Sequence, residues 1–114
     1  AFPDWEWMRD VEGRTHSRWL SVGMLPCVKG ISRGCPSSKV LNLVKHLDCV
    51  NIEARPVWKP MHLQPVFREC EFFGSSVSAE FFYRGICLPS GAGMGEAVQN
   101  RVIREIKSFL ENIR

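Results

Sequence analysis

Apolar positions near the C-terminal end of the chain recur at helical spacing. Val98, Val102, Ile106 and Phe109 lie at i, i+4, i+8 and i+11, and Ile103, Leu110 and Ile113 widen the same stripe. Charged Arg101, Arg104, Glu105, Lys107 and Glu111 take much of the opposite side. The pattern predicts an amphipathic helix that begins near Gly95 and runs almost to the end. A second helical pattern joins Val40, Leu41, Val44 and Leu47, with Leu43 nearby. It predicts a helix of about three turns, capped by Ser37 or Ser38, whose hydroxyl can accept from a free N–H of the first turn. Residues 75–83 carry Val77, Phe81 and Phe82 and read as a short helix that Gly85 ends.

Between the helices the period changes. Residues 18–24, RWLSVGM, alternate and predict a strand. VNIEA, residues 50–54, predicts a second strand, and Ile86-Cys87-Leu88 a third that stops at Pro89. Trp5 and Trp7, one residue apart, suit a short strand or a packed arm. Residues 25–36 contain Pro26, Gly30, Gly34 and Pro36 and read as a turn-rich loop. The order is therefore β, α, β, loop, α, β, α, with no internal repeat, low-complexity tract or linker. Short strands alternating with helices predict an α/β (α+β) two-layer sandwich with the helices on one sheet face. The 114 residues suffice for one domain, residues 1–114, with one core.

The stretch ARPVWKPMHLQPVF, residues 54–67, fits neither period. Pro56, Pro60 and Pro65 fall within ten residues. Each proline fixes φ and removes a backbone donor, so no ordinary helix or central strand passes through. A stiff, winding loop is expected. Read structurally, it is a rigid connection that Trp58, Met61 and Phe67 anchor to the core. Read functionally, it displays Arg55, Trp58, Lys59, His62 and Gln64 at fixed places, and a stiff loop loses less entropy when it binds. The residues by themselves leave both readings open.

Composition narrows the classes. The chain is 45% hydrophobic and 24% charged, as globular domains are. A net charge of +3, scattered rather than run together and not interleaved with aromatics, argues against nucleic acid. No apolar stretch approaches a membrane span. The opening AFPDWEWMRD lacks the layout of a secretory signal and an initiator methionine, so the start is read as trimmed or cut. Five cysteines, Cys27, Cys35, Cys49, Cys70 and Cys87, form no CxxC pair. An odd, widely spaced set points to reduced thiols in a cytoplasmic protein rather than to disulfides or zinc. Cys49 and Cys87, among apolar neighbours, are expected to fill the core.

Other chemistry is thinly signalled. GAGMG, residues 91–95, precedes the last helix, where backbone N–H groups can hold phosphate. Its spacing is not GxGxxG and no Lys-Ser/Thr pair follows, so a flexible helix entry is the plainer reading. His16, His46 and His62 are the three histidines. Nothing in the sequence ties one of them to a cysteine, and His46 is expected at the surface of its helix. Glu53, Glu69 and Glu71 show no clear partner and read as solvated. No catalytic residue and no metal ligand is assigned.

The run IEARPVWKPMHLQPVF, followed by FFYRGICLPSG, resembles the C-terminal domain of the DegT/DnrJ/EryC1/StrS family. These are pyridoxal-phosphate-dependent sugar aminotransferases of the aspartate aminotransferase fold. The likeness is greatest to members that aminate a 4-keto sugar nucleotide in bacterial glycan synthesis. An SRWL-like strand, the proline loop, the GICLPSG strand and turn, and a terminal amphipathic helix occur here in the family's order, over about residues 14–112. The resemblance implies a small domain with a short, mostly antiparallel sheet and about three helices. It also implies what stands elsewhere in the family: a large domain with the Schiff-base lysine, the acidic partner of the pyridine nitrogen and the phosphate-binding groups. None of these is assigned here, since Lys29, Lys39, Lys45, Lys59 and Lys107 do not match the family's lysine motif. GAGMG is richer in glycine than the family's usual turn, and the loop at 27–36 is longer or less regular than expected.

By position, the resemblance sets Arg55, Trp58, Lys59, His62 and Gln64 at the edge of the active-site cleft. Arg55 and Lys59 would meet phosphate or carboxylate oxygens, Trp58 would stack on a ring, and His62 or Gln64 would bond a sugar hydroxyl. Three readings follow. In the first, the chain is a detached small domain without catalysis of its own, from a truncated or mobile gene. In the second, it is a module that binds sugar nucleotide, a protein or itself. In the third, it is a half-enzyme completed by a separate large domain. No cofactor is expected to bind this chain alone, and the apolar face bared by a missing large domain predicts a homo-oligomer.

Overall fold

The computed structural model describes residues 2–17, 19–26 and 34–113. It contains three α-helices, as the sequence pattern predicts, and a four-stranded antiparallel sheet, as the family resemblance implies. In chain order the elements are β1 (Glu6–Trp7), β2 (Ser21–Met24), α1 (Ser38–Cys49), β3 (Arg55–Pro56), α2 (Val77–Arg84), β4 (Gly85–Leu88) and α3 (Glu96–Asn112). The strands lie side by side as β1-β2-β4-β3. The strand expected at 18–24 forms from Ser21; Arg18, Cys27, Lys29 and most of the expected loop at 25–36 lie outside the described residues.

β4 is the central strand and all four of its residues are buried. Val22 pairs with Cys87 on one side of it and Arg55 with Cys87 on the other. Ile86 and Leu88, two residues apart on one face, join Val40, Leu43 and Leu47 of α1 and Val102, Ile106 and Phe109 of α3 in one core. That is the alternation of a half-buried strand meeting two amphipathic helices.

The N-terminal arm closes the other end. β1 pairs with β2, and Phe2, Trp5 and Trp7 stack in series with centroid separations of 5.0 and 5.6 Å. The stack lies over Gly23, where a Cβ would stand 2.7 Å from the Trp5 ring. Only glycine lets the indole settle on the strand. Arg84, buried at the end of α2, ties this arm down by pairing with Glu6 of β1 and with Glu80 one helical turn away.

Two expectations change here. Residues 50–54 are not a strand. Val50 caps α1, Asn51 turns left-handed at φ 56°, and its N–H reaches Asp48 O at 2.9 Å while that of Ile52 reaches Leu47 O at 2.9 Å. These two hydrogen bonds satisfy carbonyls of the helix's last turn, and Ile52 joins Leu47 in the core. The strand begins only at Arg55, on the sheet edge, where Pro56 forfeits no inner ladder bond. Cys49, expected in the core, is exposed on the last turn of α1, whereas Cys87 is buried as expected.

Candidate functional site

The prolines give the loop after β3 its shape. Pro60 and Pro65 each introduce a 3₁₀ turn, Met61–Leu63 and Pro65–Phe67. Leu63 N–H bonds Pro60 O at 3.0 Å and Phe67 N–H bonds Gln64 O at 3.0 Å. Preset φ angles suit the start of such turns and no donor is wasted there. The Gln64 side-chain amide donates back to Lys59 O at 3.2 Å and closes the loop on itself. His62 stacks on Phe72 at 4.0 Å and 29°. The structural reading of the loop fails in part: Trp58 and Met61 are exposed rather than anchored, and Phe67 is half-buried.

An open cleft of about 940 Å³ lies beside the start of this loop. Its sides are residues 51–59, Leu88 at the end of β4 with the turn 89–91 that follows, the N-terminal half of α3, and Trp19 with Leu20 ahead of β2. Ala54, Phe82, Leu88 and Val98 give it an apolar lining. Val98, assigned by periodicity to the core face of α3, is exposed and spends its apolar surface here. Trp19 and Trp58 stack at 6.1 Å and 18°, yet remain 75% and 62% exposed.

The structure brings three of the five expected residues, Arg55, Trp58 and Lys59, to this cleft, and sets His62 and Gln64 farther along the loop in the contacts already described. Arg55 is not a free cation. Glu53, expected to lack a partner, holds its guanidinium at 2.6 Å. Both groups are exposed, so the pair contributes little stability, but it neutralises the charge locally. Lys59 and Arg101 have no carboxylate partner among the described residues, and Arg101 donates to the carbonyl of Val50, which orients it. The turn after β4 is fixed by Ser90, whose hydroxyl accepts from Ser21 N–H at 2.5 Å and donates to Leu88 O at 2.8 Å. Burial pushes the Cys87 thiol above its ordinary value of 9.0, so this thiol, the one at the cleft among the described residues, holds its proton at neutral pH.

Trp19, Ser90 and Arg101 were not singled out by sequence. Trp19 reads as part of an alternating strand and Arg101 as part of a solvated helix face. Only the fold carries them to Trp58. The remaining sequence candidates gather no site. Gly91, Gly93 and Gly95 stand in open space before α3. His46 lies half-buried against Phe109, 4.0 Å from Glu105. Among the described residues no cluster of histidine, cysteine and carboxylates is placed to hold a metal.

Chemistry that uses pyridoxal phosphate needs a lysine for the Schiff base, an acid at the pyridine nitrogen and a phosphate cradle. Of the described residues at the cleft, Lys59 is the one lysine and Glu53 the one carboxylate, and Glu53 is committed to Arg55. These residues do not make up that set.

Fold and cleft thus define a small α+β domain that offers one apolar, cation-edged wall. The sequence profile of the DegT/DnrJ/EryC1/StrS aminotransferase family matches residues 13–107. The chain belongs to that family. It is 43% identical over 111 residues to EpsN of Bacillus subtilis (strain 168), which carries the assignment pyridoxal phosphate-dependent aminotransferase; the match covers 86% of this chain and 26% of EpsN. It is 34% identical over 68 residues to the GDP-perosamine synthase of Caulobacter vibrioides, covering 60% of this chain and 18% of that enzyme. In fold it matches Spr1654 from Streptococcus pneumoniae, assigned as a sugar aminotransferase, in its PMP form. That superposition has a TM-score of 0.74 at 19% identity and covers 99% of this chain and 28% of the other. The aminotransferase TlmJ from Streptoalloteichus hindustanus also gives 0.74, at 15% identity, over 97% of this chain and 27% of TlmJ. The chain therefore spans about a quarter of the length of EpsN, Spr1654 and TlmJ.

Proposed function

We propose that this chain serves as the small domain of a pyridoxal-phosphate-dependent sugar-nucleotide aminotransferase. It supplies one wall of the substrate cleft and is not catalytic alone. A separate large domain would bring the Schiff-base lysine and the cofactor's phosphate cradle. One observation carries this reading: the cleft places Trp58 and Lys59 on an apolar wall whose own groups do not make up the cofactor set. Family membership supports it, as do the names of the relatives, which refer to pyridoxal phosphate, sugars and GDP-perosamine. In this reading Lys59 meets an anionic group of the substrate, Trp58 covers a ring, and Arg55 acts as part of its pair with Glu53. His62 and Gln64 act from the loop's far side, toward the opposite wall.

The test is a chimera in which this chain replaces the matching quarter of EpsN, assayed for amino transfer to 4-keto sugar nucleotides. The isolated chain should show no transfer with pyridoxal phosphate, and the chimera should be active. Lys59→Ala in the chimera should raise KM by about tenfold, the scale of one charge-assisted contact, with kcat little changed. Transfer by the isolated chain, or an unmoved KM in a folded, active chimera, would overturn the proposal.

A further inference from the structure

In the antiparallel pair of β2 and β4, Ser21 faces Leu88 at the outermost register position. The Ser90 hydroxyl bridges that position. It accepts from Ser21 N–H at 2.5 Å and donates to Leu88 O at 2.8 Å. One oxygen therefore joins the start of β2 to the end of β4, and the turn at Pro89 brings it there. Both bonds are partly buried, where a polar group left without its partner is costly. The position demands a group that accepts and donates at once. A serine or threonine hydroxyl does so, and an apolar side chain cannot.

Both ends of this bridge adjoin walls of the cleft. Trp19 and Leu20 lead into Ser21 and form one side; Pro89, Ser90 and Gly91 form the next. These segments lie outside the strands, so the ladder itself does not place them. Trp58 is reached through the same joint, because Trp19 stacks on it. The structure assigns Ser90 as a positioning residue of the cleft. Its hydroxyl sets the turn after β4 against Trp19 and Leu20 and so fixes how two walls stand to each other. What the cleft positions rests on the reading given under Proposed function; the joint does not. Ser90 acts through its neighbours and not on the reacting atoms, so its loss should weaken binding and spare the chemical step.

The experiment has two arms. The first uses the 114-residue chain labelled with ¹⁵N, whose four tryptophans give four indole N–H signals. Ser90→Ala should move the Trp19 and Trp58 signals. Trp5 and Trp7, stacked in the N-terminal arm, should stay in place and show that the variant is folded. Ser90→Thr, which keeps the hydroxyl, should return the moved signals toward the parent positions. The second arm uses the EpsN chimera. There Ser90→Ala should raise KM for the sugar nucleotide by about tenfold with kcat little changed, and Ser90→Thr should restore it. A serine that served the fold alone would lower the melting temperature and leave the Trp19 signal and KM where they were; that result would overturn the assignment. So would a threonine variant that behaves as the alanine one does. A chimera inactive with Ser90 intact would sink the aminotransferase reading instead, and the indole signals would still decide the joint.

Discussion

Gly85 shows how a single position carries a constraint that composition does not reveal. The sequence marks it as the end of a helix, and it does cap α2. Its backbone is extended, at φ −90° and ψ 142°, so any residue could adopt it. What it supplies is space: an added Cβ would stand 2.4 Å from Phe81 O and 2.6 Å from Val57 Cγ2. Those neighbours are the backbone of α2 and the start of the proline loop, and neither gives way without moving the cleft's rim. Gly85→Ala should therefore destabilise the domain by about 1–3 kcal/mol, the usual range for overpacking. A urea unfolding midpoint equal to the parent's would refute this. Cys49 and Cys87 make the same point in reverse. Both have apolar neighbours in sequence, yet the last turn of α1 leaves Cys49 exposed while the inner position of β4 buries Cys87.

Helix boundaries are where sequence chemistry and element agree best. Ser37, expected as a cap, accepts from Val40 N–H at 3.3 Å, and its own N–H donates to Tyr83 O at 2.7 Å. The hydroxyl thus starts α1 while the backbone ties that start to α2. Ser37→Ala keeps the backbone bond and loses the cap, so it should cost about 1 kcal/mol. Thermal or urea unfolding measures it, and no change would mean that the cap contributes nothing. The other end of α1 departs from the strand that the pattern of residues 50–54 predicts, for a physical reason. VNIEA alternates as a strand does, but its first two residues are needed to end the helix, and Asn51 tolerates the left-handed turn that this requires. The apolar stripe of α3 is right over Val102, Ile106 and Phe109 and wrong at Val98, where the helix overhangs the cleft. Periodicity reports which side of a helix is apolar, not what that side faces.

At the scale of the molecule, the core and the cleft do not use all the large apolar side chains. Met61, Val66, Phe72, Phe73, Val77 and Phe81 remain exposed along residues 61–81, and Phe73 is 86% exposed. A surface this apolar tends to be covered. The isolated chain should accordingly self-associate, seen as a concentration-dependent rise in sedimentation coefficient. Phe73→Asp should reverse the rise without loss of folding, since that ring contributes nothing to the core. A monomer at every concentration would refute this. None of the three helices is long and apolar enough, among the described residues, to cross a membrane.

The sequence by itself determined the three helices, the turn chemistry of the proline loop and membership of the family, and through that membership the antiparallel character of a short sheet. Those are properties of period, of proline and glycine stereochemistry, and of a long motif, all of which are local. It set Arg55, Trp58, Lys59, His62 and Gln64 on one loop because they are neighbours in the chain, and only the first three line the cleft. It did not pair Trp58 with Trp19, Glu53 with Arg55, or Arg101 with the carbonyl of Val50. Two of these contacts join residues 39 and 51 positions apart, and the strand order that brings β2 and β3 to either side of β4 decides the first. Only the tertiary structure could decide them, because burial, pairing and the walls of a cleft are set by which elements meet and not by what each one is.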